Sequence, residues 1–287
     1  MEERQMARKL RIGMLKGMPG KWDLEGNWEM FIEQFRKHRG EEINVFITPE
    51  CFLDGYAVTE ENWTARRFGR VAQEVEGSAY IRKVRQMARR AGTAIVFGFS
   101  EVLEGHFYNC ALLVGGDGSI VGKYHKTHLQ NHDHRFSPGR DLPVFEMEWG
   151  KAGMVICADR RWPESIRTLR LKGAEICLMP TYGMHHLDNE WWMRTRSYEN
   201  QMFVCFTHPQ VALITDPRGQ VAAKLESNLP DVLVHEVDLE EARDDNHLID
   251  RRPELYGVLA EVEHPSRQAE YEPPKAKKRG KSKKKKR

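Results

Sequence analysis

Apolar side chains in this chain gather in short runs separated by polar, helix-length stretches, a rhythm that predicts buried strands alternating with amphipathic helices. Residues 10–15 form the first apolar-rich run, and 27–39 carry Trp28, Met30, Phe31, Ile32 and Phe35 at helical spacing. Residues 45–48 read as a buried strand stopped by Pro49, 79–91 as a helix with a polar face, and 93–100 as another buried strand. The runs 109–114 and 119–124 flank Gly115-Gly116-Asp117-Gly118, which predicts a hairpin. After a polar loop at 130–138 the pattern resumes with strand 144–147, an apolar run ending at Cys157, a helix from about 163 to 172 and strand 175–179. Pro163 suits the first turn of that helix, where its missing N–H is no loss. A helix at 189–201, strands at 202–207 and 211–215, a turn at 216–219 and a late strand at 232–237 complete the reading. Strands in pairs alternating with helices imply a layered α/β domain.

A chain of 287 residues with 40% hydrophobic content can bury one substantial core. The globular domain is expected over 8–270, followed at 271–287 by a Lys/Arg-rich tail with too little apolar content to order itself. Ten Lys or Arg lie between 275 and 287 with no acid among them; taking them from the formal net charge of +3 leaves −7 for the remainder. Basic character therefore belongs to the tail, which suggests nonspecific nucleic-acid contact, an import signal or a solubilising end. Five cysteines, at 51, 110, 157, 177 and 205, show neither paired nor zinc-like spacing, so reduced thiols are expected. The N-terminus lacks the apolar segment of a signal peptide and no run approaches a membrane span. A cytoplasmic protein is expected, without membrane contact. No internal repeat or Gly-rich phosphate loop is present.

Three apolar runs end on chemistry. Ile43-Asn44-Val45-Phe46-Ile47-Thr48-Pro49 delivers Glu50, Gly122-Lys123-Tyr124-His125 delivers Lys126, and Gly153-Met154-Val155-Ile156 delivers Cys157. Taken singly, a strand-end cysteine is usually a small buried hydrophobe, and a Glu or Lys beside a turn is usually solvated. Together they supply a thiolate nucleophile, a carboxylate to move its proton, and an ammonium to stabilise a developing oxyanion, which is the equipment for hydrolysing a C–N bond through a thioester.

These segments resemble the nitrilase superfamily of carbon–nitrogen hydrolases. Phe46 to Tyr56 (FITPECFLDGY), Val96 to Glu101 (VFGFSE) with Tyr108-Asn109, Gly122 to Leu129 (GKYHKTHL) and Gly153 to Glu164 (GMVICADRRWPE) carry the resemblance. Tyr198-Glu199-Asn200 and Asp216-Pro217-Arg218-Gly219 extend it, so that it runs from about Leu10 to about Glu261. The resemblance implies a four-layer α-β-β-α sandwich, catalytic Glu50, Lys126 and Cys157, no metal or organic cofactor, and a homo-oligomer built on dimers. Asp159-Arg160-Arg161-Trp162-Pro163-Glu164 and Arg251-Arg252-Pro253-Glu254-Leu255-Tyr256-Gly257 are most similar to N-carbamoyl-D-amino acid amidohydrolases. There an arginine after the nucleophile binds the substrate carboxylate, which makes Arg160 the candidate for that contact. Internal salt bridges are the ordinary alternative for Arg160 and Arg161.

Two departures stand out. The loop after Lys126 lacks the second glutamate of many relatives; Asp133, one methylene shorter, is the nearest carboxylate, with His132 and His134 as substitutes if it does not reach. The chain also passes from His208-Pro209-Gln210 straight into Val211, omitting a loop that relatives place beside the pocket, which predicts a more open site or one completed by a partner. Asp133, His128, Tyr182 and Arg160 are the candidate substrate contacts. His185 and His186 follow a strand end on the same side, though an ordinary polar loop explains them as well. The histidines around Asp133 lack metal-ligand spacing. The expected activity is ammonia release from a small carboxamide or N-carbamoyl compound. A nitrilase acting on a nitrile and a non-catalytic scaffold are the alternatives.

Overall fold

The strand–helix alternation folds into two sheets of the same plan. In chain order β1 (Lys9–Lys16), α1 (Leu24–Lys37), β2 (Val45–Ile47), a short α2 (Ala65–Phe68), α3 (Ala79–Ala91), β3 (Ala94–Leu103), β4 (His106–Val114) and β5 (Ile120–His125) make the first half. The second half is β6 (Val144–Met147), β7 (Gly150–Met154), α4 (Pro163–Leu171), β8 (Ile176–Pro180), α5 (Asn189–Asn200), β9 (Phe203–Thr207), β10 (Val211–Thr215) and β11 (Val221–Glu226). β12 (Asp231–Asp238) then returns to pair antiparallel with β1. This computed structural model describes residues 8–183, 189–243 and 246–261, so the expected tail and His185 and His186 lie outside the described residues. The chain divides into a unit of Met1–Arg251 and a second of Arg252–Arg287.

Among the described residues each sheet has six strands, ordered β12-β1-β2-β3-β4-β5 and β11-β10-β9-β8-β7-β6. Their centres are parallel, β1-β2-β3 and β7-β8-β9, and the outer pairs are antiparallel. Parallel neighbours need crossover helices, which α1, α3, α4 and α5 supply. One apolar cluster joins Ile12, Met14, Ile47 and Val96 of the first sheet to Met154, Leu178, Val204 and Ile214 of the second, and continues to Leu169 and Met193 on α4 and α5. Another packs Phe31 and Phe35 of α1 and Ile81 and Val84 of α3 onto Phe46 and Phe97. The order is helices, sheet, sheet, helices, the four-layer sandwich expected.

Helix ends follow local chemistry. Asp23 accepts the Gly26 N–H at 2.9 Å to start α1, Ser78 accepts the Tyr80 and Ile81 N–H groups at 3.1 and 3.2 Å to start α3, and Gly92 at φ 66° ends it. Three strands depart most from the sequence reading. β11 was not foreseen, because its half-exposed Val-Ala-Ala-Lys-Leu-Glu run pairs only with β10 at a sheet edge and lacks strong alternation. β3 and β4 run past the expected limits, to a turn at Glu104 and Gly105, with φ 51° and 79°, so polar Glu101 and Tyr108 lie inside the ladder. No helix among the described residues is long and apolar enough to cross a membrane.

Candidate active site

The carboxyl ends of β2, β7 and β8 lead directly to Glu50, Cys157 and Tyr182, where open α/β sheets place ligands. The Glu50 N–H donates to the Thr181 carbonyl at 3.3 Å, tying a loop of the first sheet to the end of β8 in the second. Gly98 on β3 passes so close beneath that a Cβ would collide with the Pro49 carbonyl, and only glycine leaves room for the Pro49-Glu50 turn.

Glu50 and Lys126 are both fully buried. Lys126 Nζ donates to Glu50 Oε1 at 2.8 Å and to Asp133 Oδ2 at 2.7 Å, and lies 3.2 Å from the Tyr56 hydroxyl. Burial works against the ammonium, but the charges of Glu50, Cys157 and Asp133 outweigh it and hold Lys126 well above the ordinary lysine range. Burial likewise pushes Asp133 up, while Lys126 and the Tyr56 hydroxyl more than reverse it and hold this carboxyl below its usual range. Asn109 on β4 donates to Glu50 Oε1 at 2.7 Å. With two donors on Oε1, Glu50 Oε2 is buried without a hydrogen-bond partner among the described residues.

Cys157 opens a 3₁₀ turn at φ 46°, a left-handed conformation that costs an ordinary residue about 1 kcal/mol. Asp159 holds the turn by accepting the Ile156 N–H at 2.9 Å. The same carboxylate accepts from the Tyr124 and Thr127 hydroxyls at 2.7 and 3.0 Å and from the His128 backbone N–H at 2.9 Å, so one buried aspartate joins the cysteine turn to the lysine segment. The sulfur receives Arg160 Nη1 at 3.3 Å and the backbone N–H of Tyr182. Burial, then Glu50, push the Cys157 thiol up, and Lys126, Arg160 and the Tyr182 N–H pull against them without cancelling the rise.

The structure brings Asp133 to the ammonium, while His132 stays 3.9 Å from Asp133 with its side chain exposed and His134 turns to the Asn131 carbonyl at 2.7 Å. A 3₁₀ turn over Asn131–Asp133 supplies the reach that the shorter side chain lacks. Tyr182 packs edge-on against Tyr56 at 5.2 Å. His128 is held on Asp159 at 2.8 Å and stacks on Trp162 at 4.2 Å. Arg160 is buried between Trp192 and Phe206; Asn189 takes its Nε and Nη2 at 3.1 and 2.9 Å, and the Gly183 carbonyl takes Nη2 at 3.4 Å. No carboxylate among the described residues pairs with it. Three contributors lie in segments that carry the resemblance but were given no role from sequence: Asn109, Tyr56 and Asp159. An amide inside an apolar strand run was the available signal for Asn109. A cavity of about 530 Å³ lies elsewhere, at the amino ends of β1, β7 and β8, lined by internally paired ions such as Arg8 with Glu175 and Lys151 with Glu146.

A buried carboxylate with one free oxygen, an ammonium pinned beside it and a strained thiol facing donors is a set for acyl transfer. The sequence matches the carbon-nitrogen hydrolase family over residues 10–246, and the chain belongs to that family. Among its relatives, a hydrolase encoded in the pqqF 5′ region of Pseudomonas protegens is 30% identical over 88% of this chain and 92% of its own. An (R)-stereoselective amidase of a Pseudomonas species is 30% identical over 78% of this chain and 84% of its own. Solved nitrilase-superfamily structures share the fold. One is a glutamate-to-glutamine mutant of an amidase from Nesterenkonia, with the acetamide moiety of fluoroacetamide covalently added at its active-site cysteine; it aligns with TM-score 0.73 at 21% identity over 86% of this chain and 95% of that one.

Proposed function

We propose that this carbon–nitrogen hydrolase releases ammonia from a small carboxamide or N-carbamoyl compound through a thioester on Cys157, with Glu50 and Lys126 as its catalytic partners. The observation that carries the reading is the buried Glu50 carboxylate, with Oε1 fixed by Lys126 and Asn109 and Oε2 unpartnered. Oε2 takes the Cys157 proton as the sulfur attacks the carbonyl carbon, and returns it to the leaving nitrogen as the C–N bond breaks. Ammonia departs, Glu50 then takes a proton from water as its oxygen attacks the thioester, and that proton returns to the sulfur when the acid is released. Lys126 stabilises the anionic tetrahedral states, and its buried carboxylate partners keep it charged. Asp133 positions Lys126, and Tyr182 presents its backbone N–H beside the sulfur. The test is ammonia release from a panel of ω-amides, N-carbamoyl amino acids and nitriles by the wild type beside Cys157→Ala. Acid formed from nitriles alone would replace this reading with the nitrilase one, and silence across the panel would favour a scaffold.

Arg160 has two roles in this reading: its charge favours the thiolate, and it attracts an anionic substrate group brought to the sulfur, as the sequence reading of a carboxylate contact requires. Arg160→Gln is expected to shift the pH profile of Cys157 alkylation by iodoacetamide toward alkaline pH, because the change removes a positive charge that pulls the thiol down. It should also erase any preference for carboxylate-bearing amides over neutral ones. An unshifted profile would remove Arg160 from the sulfur's electrostatics.

Ten cations between 275 and 287, with no acid among them, support salt-sensitive polyanion binding separate from hydrolysis. Deleting 275–287 should leave ammonia release unchanged and abolish retention on a nucleic-acid column. Lost hydrolysis would make the tail part of the enzyme.

A further inference from the structure

Across the extended ends of β3, β4 and β5, Glu101, Cys110 and His125 bring a carboxylate oxygen, a sulfur and an imidazole nitrogen within 4.8 Å of one another. The ladder explains the meeting. Cys110 stands opposite His125, and Glu101 stands opposite Tyr108, two residues before Cys110, so the period of two puts all three side chains on one face. Cys110 packs in the cluster of Phe97, Phe99 and the helices α1 and α3, which identifies that face as the helix-covered one. Their chain neighbours Asn109 and Lys126 turn the other way, to Glu50.

Glu101 is the hub: its Oε1 accepts from Lys123, its Oε2 meets His125 Nε2, and the Cys110 sulfur lies within 4.8 Å of both partners' ligand atoms. The His125 ring is fixed by stacking on Tyr108 at 4.2 Å and 15°. Glu101 and Cys110 are buried, whereas the His125 and Lys123 side chains are 16% and 33% exposed, so the group opens to solvent along β5.

We propose that Glu101, Cys110 and His125 bind a borderline-soft divalent cation of the zinc type, with water as fourth ligand. Thiolate, imidazole and carboxylate are the donors such an ion takes in tetrahedral geometry. The cation displaces the Cys110 thiol proton to solvent. His125 ligates through a deprotonated Nε2, and Glu101 through Oε2 while Oε1 keeps Lys123. No electron moves. The dication meets two anionic donors, with Lys123 as the opposing charge among the described residues. Ligation needs the thiolate and an unprotonated imidazole nitrogen, so the ion displaces protons and binds more tightly as pH rises. Occupancy ties β3, β4 and β5 together where Asn109 and Lys126 leave the sheet.

The test titrates the metal-free full chain with Co²⁺, in the wild type and in Cys157→Ala, and follows the sulfur-to-cobalt charge-transfer band together with proton release. A band in both proteins, saturating at one equivalent per chain, is expected; Cys110→Ser should abolish it, and His125→Gln should weaken binding at least about tenfold. The proposal is overturned by no band, by a band indifferent to Cys110→Ser, or by one that vanishes with Cys157→Ala. Should Cys110→Ser fail to fold, His125→Gln decides alone, since its ring is partly exposed, and unchanged cobalt affinity would count against the site.

Discussion

Cys157→Ala should lower ammonia release at least about a thousandfold, the scale on which loss of a covalent nucleophile is felt, while the protein stays folded. Alanine fits the space and the same φ of 46°, and the turn is held by Asp159 rather than by the sulfur. The variant cannot form a thioester, and Glu50 Oε2 loses the proton donor it is poised to meet. A residual rate within tenfold of the wild type would exclude Cys157 as nucleophile. Alkylation provides a second readout that folding defects cannot imitate. Cys51, Cys110, Cys177 and Cys205 are fully buried, and burial pushes all four thiols upward. Cys157 is 4% exposed and faces Lys126 and Arg160. A haloacetamide should therefore add one equivalent to the native wild type and none to Cys157→Ala, with inactivation tracking the adduct.

The strand ends carrying Glu50, Lys126 and Cys157 were legible because each is a local event, an apolar run meeting a polar residue, and the layered fold followed from the same alternation. The position of Asp133 was not legible. Whether a carboxylate one methylene short reaches the ammonium depends on the path of the 130–139 loop, and only the 3₁₀ turn, closed where the Gln130 N–H donates to Asp133 Oδ2 at 3.1 Å, settles it. Arg160 shows a different limit. Sequence marks a guanidinium beside the nucleophile but not which way its fork points, and here Asn189, 29 residues away, sets the direction. Asp159 stood in a quoted motif without a role, because its partners, Tyr124, Thr127 and His128, lie in another sheet's segment. The cluster at Glu101 was hidden for a related reason: β3, β4 and β5 each contribute one side chain, and no short spacing in the sequence announces it.

Lys126→Met should cost about 3–5 kcal/mol of stability, the range for removing one partner of a buried ion pair, and should abolish hydrolysis. Methionine fills much of the volume, so the loss is electrostatic: Glu50 and Asp133 remain buried with no cation between them. The response of Asp133 fixes the pH dependence. In the wild type the Asp133 carboxyl lies below its unfolded value, so its contribution is present above the unfolded pKa and lost as pH falls through the folded one. In the variant, burial and the neighbouring Glu50 charge raise the Asp133 carboxyl, and stability instead falls as pH rises through its folded value. The gap between the two proteins therefore widens from acidic to neutral pH, which denaturant titrations at several pH values would measure. Asp133→Asn supplies the matching corner of a double-mutant cycle. Alone it should destabilise, because Lys126 loses a partner 2.7 Å away; added to Lys126→Met it should restore stability, because it removes one of the stranded charges. Opposite signs in the two backgrounds are what a charge-balanced core requires. An additive cycle, or a Lys126→Met protein as stable as the wild type at neutral pH, would mean that the ammonium neither holds Asp133 nor organises Glu50.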